Sequence, residues 1–167
     1  MGNSREPTKR RFLVIGCGSI GKRHIENLRR LGANDIIAFD SQAARVAEVV
    51  AAYGVENVAS LDAAWERRPD VCLITAPTSL HLALALKGAA QGCHLFIEKP
   101  LSHSWQGVEV LLDVVARQRL VTLVGCNMRF HPGLREIKRL LADNAVGRVI
   151  AARVEVGQYL PDWHPLE

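Results

Sequence analysis

Residues 12–21 read Phe-Leu-Val-Ile-Gly-Cys-Gly-Ser-Ile-Gly, and Asp40 follows about twenty positions on. Phe12 to Ile15 is an apolar run of strand length, and it breaks off at a glycine. Gly16-Cys17-Gly18-Ser19-Ile20-Gly21 fits G-x-G-x-x-G and opens a segment with helical spacing to about Leu31, in which Ile25 and Leu28 face inward. Gly32 stands where a helix ends in a left-handed residue. A second apolar run, Ile36 to Asp40, closes on the carboxylate, and Ser41 is placed to cap the next helix. The hexapeptide alone is weak. Between a strand and a helix, with an acidic residue ending the next strand, it decides the reading.

Working outward, runs of strand length keep alternating with helical segments to about residue 145. Val46, Val49, Val50 and Tyr53 make one helical stripe, ended by Gly54. A short strand near Asn57–Ala59 precedes a helix over about 61–68, and Pro69 marks the turn into a strand over Val71–Thr75. A helix over 78–91 leads through Gly92 to the strand Cys93–Ile97. Val108, Leu111, Leu112 and Val115 recur at i, i+3, i+4 and i+7, the strand Val121–Cys126 follows, and Leu134, Ile137 and Leu141 share the face of a last helix. Six strands with intervening helices predict an α/β fold, a doubly wound parallel sheet with helices on both faces, over residues 11–146. From Gly147 to Tyr159 apolar and polar residues alternate with a period of two, which predicts the first strand of a second domain, 147–167, cut short in this sequence. Residues 1–10 are expected to be a flexible tail.

The residue types at the turn suit a dinucleotide. Gly16 permits the tight turn, Gly18 lets backbone approach a pyrophosphate over Ser19 and Ile20, and Gly21 lets the helix pack close while its N-terminus faces the anion. Asp40 either accepts hydrogen bonds from the adenosine ribose hydroxyls or serves as a turn aspartate. The first favours NAD, since a carboxylate repels a 2′-phosphate, and Arg45 nearby leaves NADP open. Thr75-Ala76-Pro77-Thr78, with His81 on the following helical turn, and Glu98-Lys99-Pro100 both end strands at the edge where such sheets bind ligands. Thr75, Pro77, His81 and Glu98 are therefore candidate cofactor contacts. His81 also reads as a structural hydrogen-bonding residue, as does His24. For Lys99 a donor to a substrate hydroxyl and a local ion pair both stand.

The net charge of +4 draws on Arg5, Lys9, Arg10 and Arg11 and on scattered helix surfaces, with no basic face interleaved with aromatics, so no nucleic-acid partner is expected. Cys17, Cys72, Cys93 and Cys126 lack the short paired spacings of a metal or redox motif and fit small core residues in a reducing cytoplasm. No metal and no membrane partner is expected. Glu6 spoils a myristoylation signal after Met1-Gly2, and Phe12–Ile15 is too short for a signal or a span.

Four segments in order, Gly16–His24, Thr75–His81, Glu98–Ser102 and Asn127–Pro132, make the chain similar to the Gfo/Idh/MocA oxidoreductases. That resemblance implies a nicotinamide cofactor, hydride transfer with a sugar, nucleotide sugar or inositol, and a second α/β domain that supplies most substrate contacts and an acid/base group. It implies that Lys99 is catalytic, beside the nicotinamide and touching the reacting hydroxyl, with Pro100 fixing the loop. Arg129 then lines the same end of the cleft, and Glu98 supports the loop. Asp162 and His164 carry acid/base groups but stand in a linker-like tail. The alternatives are a non-catalytic dinucleotide-binding module or inactive fragment, and a methyltransferase, which the Lys99 and Arg129 motifs disfavour. An orphan strand over 147–159 is a template for edge pairing, so it is expected either to pair with the same strand of another copy, giving a homo-oligomer, or to detach and become mobile.

Overall fold

The computed structural model describes residues 10–157. The chain divides into two compact units, Met1–Cys126 and Asn127–Glu167. In the first, the order is β1 Phe12–Ile15, α1 Ser19–Arg30, β2 Ile36–Phe39, α2 Ala43–Tyr53, β3 Glu56–Asn57, α3 Leu61–Glu66, β4 Val71–Ile74, α4 Thr78–Ala90, β5 His94–Ile97, α5 Val108–Gln118 and β6 Thr122–Val124. The strands lie in the order β3-β2-β1-β4-β5-β6 and every pairing is parallel, the doubly wound arrangement expected. Its switch point falls between β1 and β4.

Successive strand residues point to opposite faces, and both faces are covered. In register, Leu13 stands opposite Ile37 and Cys72, and the next row is Val14, Ala38 and Leu73. The first row, with Ile15, Ile74 and Ile97, packs on Trp65 of α3, Ala85 and Ala89 of α4 and Leu111 of α5. The second packs on Ile25 of α1 and Val49 of α2. This two-sided burial is why the strands read as unbroken apolar runs, and each fully buried Leu, Ile or Val stabilises the fold by about 1.5–3 kcal/mol. Arg11 fixes the start of β1. Its amide donates to Asp70 Oδ2 at 2.7 Å, Nε bonds the Asp35 carboxylate at 3.0 Å, and a terminal guanidinium nitrogen donates to Arg67 O at 2.6 Å.

The second unit, by itself, holds a 3₁₀ turn over Asn127–Phe130 and α6 over Pro132–Ala142. Pro132 opens the helix, His131 Nδ1 accepts from Gly133 N at 3.2 Å, and Arg139 bridges Glu136 and Asp143. The 3₁₀ turn and α6 fall in the same unit.

The segment expected as an orphan strand from 147 to 159 has no partner strand among the described residues. Residues 147–157 form no strand, and Ile150, Val154 and Val156 are 90%, 87% and 91% exposed. Alternation decides which side chains share a face, but a strand also needs a partner backbone for its donors and acceptors. Residues 158 and 159, Asp162, His164 and residues 1–9 of the expected tail lie outside the described residues. Among the described residues no helix is long and apolar enough to cross a membrane.

Candidate functional site

In a parallel sheet all carboxyl ends share one edge. Gly16 follows β1 there, Asp40 follows β2, Thr75 follows β4, and Glu98 and Lys99 follow β5. Chain direction therefore gathers residues that are as many as 83 positions apart (99 − 16).

The three glycines of the turn differ physically. Gly16 has φ +101°, and a Cβ on it would lie 2.6 Å from the Thr75 carbonyl carbon and oxygen. A Cβ on Gly21 would lie 1.9 Å from Gly16 O, so α1 meets the turn through bare backbone. Gly18, which caps α1, has no heavy atom within 4 Å of its Cβ position. Thus Gly16 and Gly21 are required by the fold, while Gly18 leaves open the space into which a phosphate group can come close. Ser19 and Ile20 form the first turn of α1, with Ser19 exposed. Thr75 is buried, and its hydroxyl faces Ile15 O at 3.0 Å and Gly16 O at 2.6 Å. It locks β4 to the turn from beneath.

Asp40 is bonded to that turn. Oδ2 accepts from Cys17 N at 2.7 Å, Oδ1 accepts from Gln42 N at 2.8 Å, and the side chain is 6% exposed. A carboxylate has about four lone-pair positions, so these two bonds leave acceptor capacity for ribose hydroxyls. Gln42, not Ser41, takes the cap position of α2, without a side-chain cap bond. The Asp40 carboxylate already supplies the Gln42 amide with its acceptor. Arg45 approaches Asp40 Oδ2 at 3.9 Å.

His81 is buried between the loop after β4 and the loop after β5. It is 1% exposed, with Nδ1 2.8 Å from Pro100 O and Nε2 2.8 Å from Ala76 O. A neutral ring donates one of these bonds and an imidazolium both. One ring nitrogen thus faces a carbonyl of each loop. Pro77 is exposed at the cap of α4.

Glu98 is likewise held from within. Its Oε1 lies 2.8 Å from His24 Nε2 on α1, and Oε2 accepts from Lys99 N at 3.2 Å. The His24 ring rests edge-on against Phe96, with centroids 4.7 Å apart. Lys99 is exposed, and its peptide bond to Pro100 is cis. Arg129 belongs to the second unit, where it is exposed on the 3₁₀ turn. The His24–Glu98 pair spans 74 positions and left no signal in the sequence.

The donor-lined turn, the open face at Gly18 and the acceptor at Asp40 fit a dinucleotide. The family model "Oxidoreductase family, NAD-binding Rossmann fold", GFO_IDH_MocA, matches residues 10–126. The chain belongs to the Gfo/Idh/MocA oxidoreductase family. It is 30% identical over 142 residues to inositol 2-dehydrogenase of Rhizobium meliloti, covering 83% of this chain and 42% of that protein. It is also 31% identical over 162 residues to levoglucosan dehydrogenase of Pseudarthrobacter phenanthrenivorans, covering 90% and 40%. Among solved structures, UDP-N-acetylglucosamine 3-dehydrogenase from Acidithiobacillus ferrooxidans superposes with a TM-score of 0.71 at 30% identity, over 78% of this chain and 41% of that one. The chain spans 40–47% of the length of such curated relatives.

In this Gfo/Idh/MocA domain the thiol beside the glycine turn is inert. Burial, then the Asp40 charge, pushes Cys17 up to about 12; burial, then Asp70, pushes Cys93 up to about 11; Cys72 is raised by burial and by Cys93. Iodoacetamide at about pH 8 is expected to modify exposed Cys126 and spare these three, because the thiolate is the nucleophile. Peptide mass spectrometry reads this, and Cys17 labelled as fast as Cys126 contradicts it. The same shifts make alkaline stability one-signed. Unfolded thiols ionise near the ordinary value of 9.0 while the folded ones keep their protons, so stability is whole below about pH 9 and falls as pH rises toward 12.

Proposed function

We propose that this chain supplies the cofactor half of a dehydrogenase that moves hydride between NAD and a secondary alcohol carbon of a sugar, nucleotide sugar or inositol. The observation that carries the cofactor choice is the Asp40 carboxylate. It stands at the end of β2, bonded to Cys17 N of the turn, with acceptor capacity left. The substrate class is supported by relatives that act on inositol and on UDP-N-acetylglucosamine. A bound nicotinamide dinucleotide supplies the hydride acceptor or donor.

The chain's own residues hold and orient. Gly18, Ser19 and Ile20 present backbone N–H groups and the N-terminus of α1 to a pyrophosphate. Asp40 accepts from ribose hydroxyls and sets an unfavourable charge against a 2′-phosphate. Thr75 and Pro77 shape the floor of the edge, and Glu98 supports the loop that carries Lys99. Lys99 donates to the reacting hydroxyl. Residues 147–157 serve as a strand only beside a partner, from a following sheet or a second copy.

NAD is expected to bind at least about tenfold more tightly than NADP, a difference of about 1.4 kcal/mol. Asp40→Asn keeps one acceptor oxygen and removes the charge, so it should narrow that ratio more than it lowers the melting temperature. Calorimetric titration of both cofactors against both proteins measures it. Equal or tighter NADP binding by the unaltered chain sinks the choice. The other reading of the same site is a dinucleotide-binding module without turnover. Reduction of NAD by any member of a polyol panel would exclude it.

A further inference from the structure

The opposite edge of the sheet, where β4 and β5 begin, holds a cavity of about 460 Å³. Arg10, Trp65, Arg68, Asp70, Gln91 and His94 line it. Among the described residues, no ion pair or side-chain hydrogen bond engages the guanidinium of Arg10 or of Arg68. Trp65 is 6% exposed, and its Nε1 is buried with no hydrogen-bond partner. An unpaired buried donor costs about 1–3 kcal/mol, in a fold whose other buried polar side chains among the described residues are satisfied. His94 Nδ1 accepts from Val121 N at 3.1 Å, which places the proton of the neutral ring on Nε2, another donor. The one carboxylate, Asp70, has Oδ2 taken by Arg11 N at 2.7 Å.

The two unpaired guanidiniums, with the His94 Nε2–H on the same wall and the buried Trp65 ring behind it, call for an anion with several acceptor oxygens. A phosphomonoester has three, at a charge of about −1.5 to −2. The cavity exceeds a bare phosphate and falls in the roughly 300–1,000 Å³ range of small-molecule sites. Asp70 Oδ1 and the Gln91 amide are there to meet hydroxyls. We propose that this cavity binds the phosphomonoester of a small hydroxylated molecule, at the end of the sheet remote from the glycine turn.

Arg68 makes the test clean. Its φ is +53°, a conformation that glycine adopts without strain, so Arg68→Gly removes the guanidinium while suiting the backbone. The full chain is titrated by heteronuclear NMR with glucose 6-phosphate, inorganic phosphate and, at matched ionic strength, acetate. The Trp65 indole N–H signal is assigned by Trp65→Phe. Both phosphates should shift the Trp65 and His94 signals saturably, glucose 6-phosphate more tightly, and acetate should not. Arg68→Gly should keep the melting temperature and weaken binding by about tenfold or more, the loss of one charge-assisted bond. If that variant is unstable, Arg10→Gln reads the same loss. The proposal is overturned by shifts confined to the amides of 17–21, by an equal response to acetate, by no saturable shift, or by folded variants that bind as before.

Discussion

Gly21→Ala is expected to destroy dinucleotide binding and to cost about 3 kcal/mol of stability or more, while Gly18→Ala spares the fold and loses only the ligand. The new Cβ at 21 would sit 1.9 Å from Gly16 O, 2.9 Å from Gly16 C and 3.1 Å from Thr75 Oγ1. The first two are backbone atoms of a turn that cannot yield, because Gly16 itself lies against Thr75. Helix α1 must instead lift off the sheet and draw Ile25 out of its cluster. Overpacking of this kind costs about 1–3 kcal/mol and sometimes more, which for a chain of this size lowers the melting temperature by roughly 6–12 °C. At Gly18, with φ −66° and no atom within 4 Å of the Cβ position, alanine needs no backbone change. Its stability cost should stay within about 1 kcal/mol, the usual deficit of alanine as an N-cap. NAD affinity should nevertheless fall by at least about tenfold, since the methyl occupies the approach to the helix N-terminus. Thermal unfolding and cofactor titration on both variants separate the roles. A Gly21→Ala protein as stable as its parent would refute the packing account, and a Gly18→Ala protein with unchanged affinity would refute the ligand account.

The same contrast shows what could be read from the chain. Near-continuous apolar runs at 12–15, 36–39, 71–74 and 94–97 announce strands buried on both faces, and the glycine spacing announces the turn. Each is a local pattern with one physical solution. Bonds between distant segments are not local patterns. Nothing near Asp40 tells that its carboxylate holds Cys17 N, and nothing near Arg11 tells that it clamps Asp35, Asp70 and Arg67. The ring of His81 reaches carbonyls 5 and 19 positions away, which no local pattern announces. At 147–157 the period of two is clear, yet a period specifies a face and never a partner.

His81→Ala is accordingly expected to damage the site through the two loops that its ring lies between. It removes a 1%-exposed ring and leaves Ala76 O and Pro100 O without their partner nitrogens. The cavity and the orphaned acceptors together cost about 3 kcal/mol. Ala76 follows Thr75 and Pro100 follows Lys99, so the loss falls on the two loops that form the carboxyl edge. Cofactor affinity should fall with stability, and hydrogen exchange should quicken in the segments after β4 and β5 before it quickens in β1. Two further variants separate bonding from bulk. His81→Phe fills the space and donates nothing, so it should resemble alanine in loop exchange while recovering part of the melting temperature. His81→Gln can donate to one carbonyl and should restore part of the affinity. If alanine lowered the melting temperature by less than about 2 °C, or if phenylalanine restored loop protection fully, the ring would be filling space and not tying the loops together.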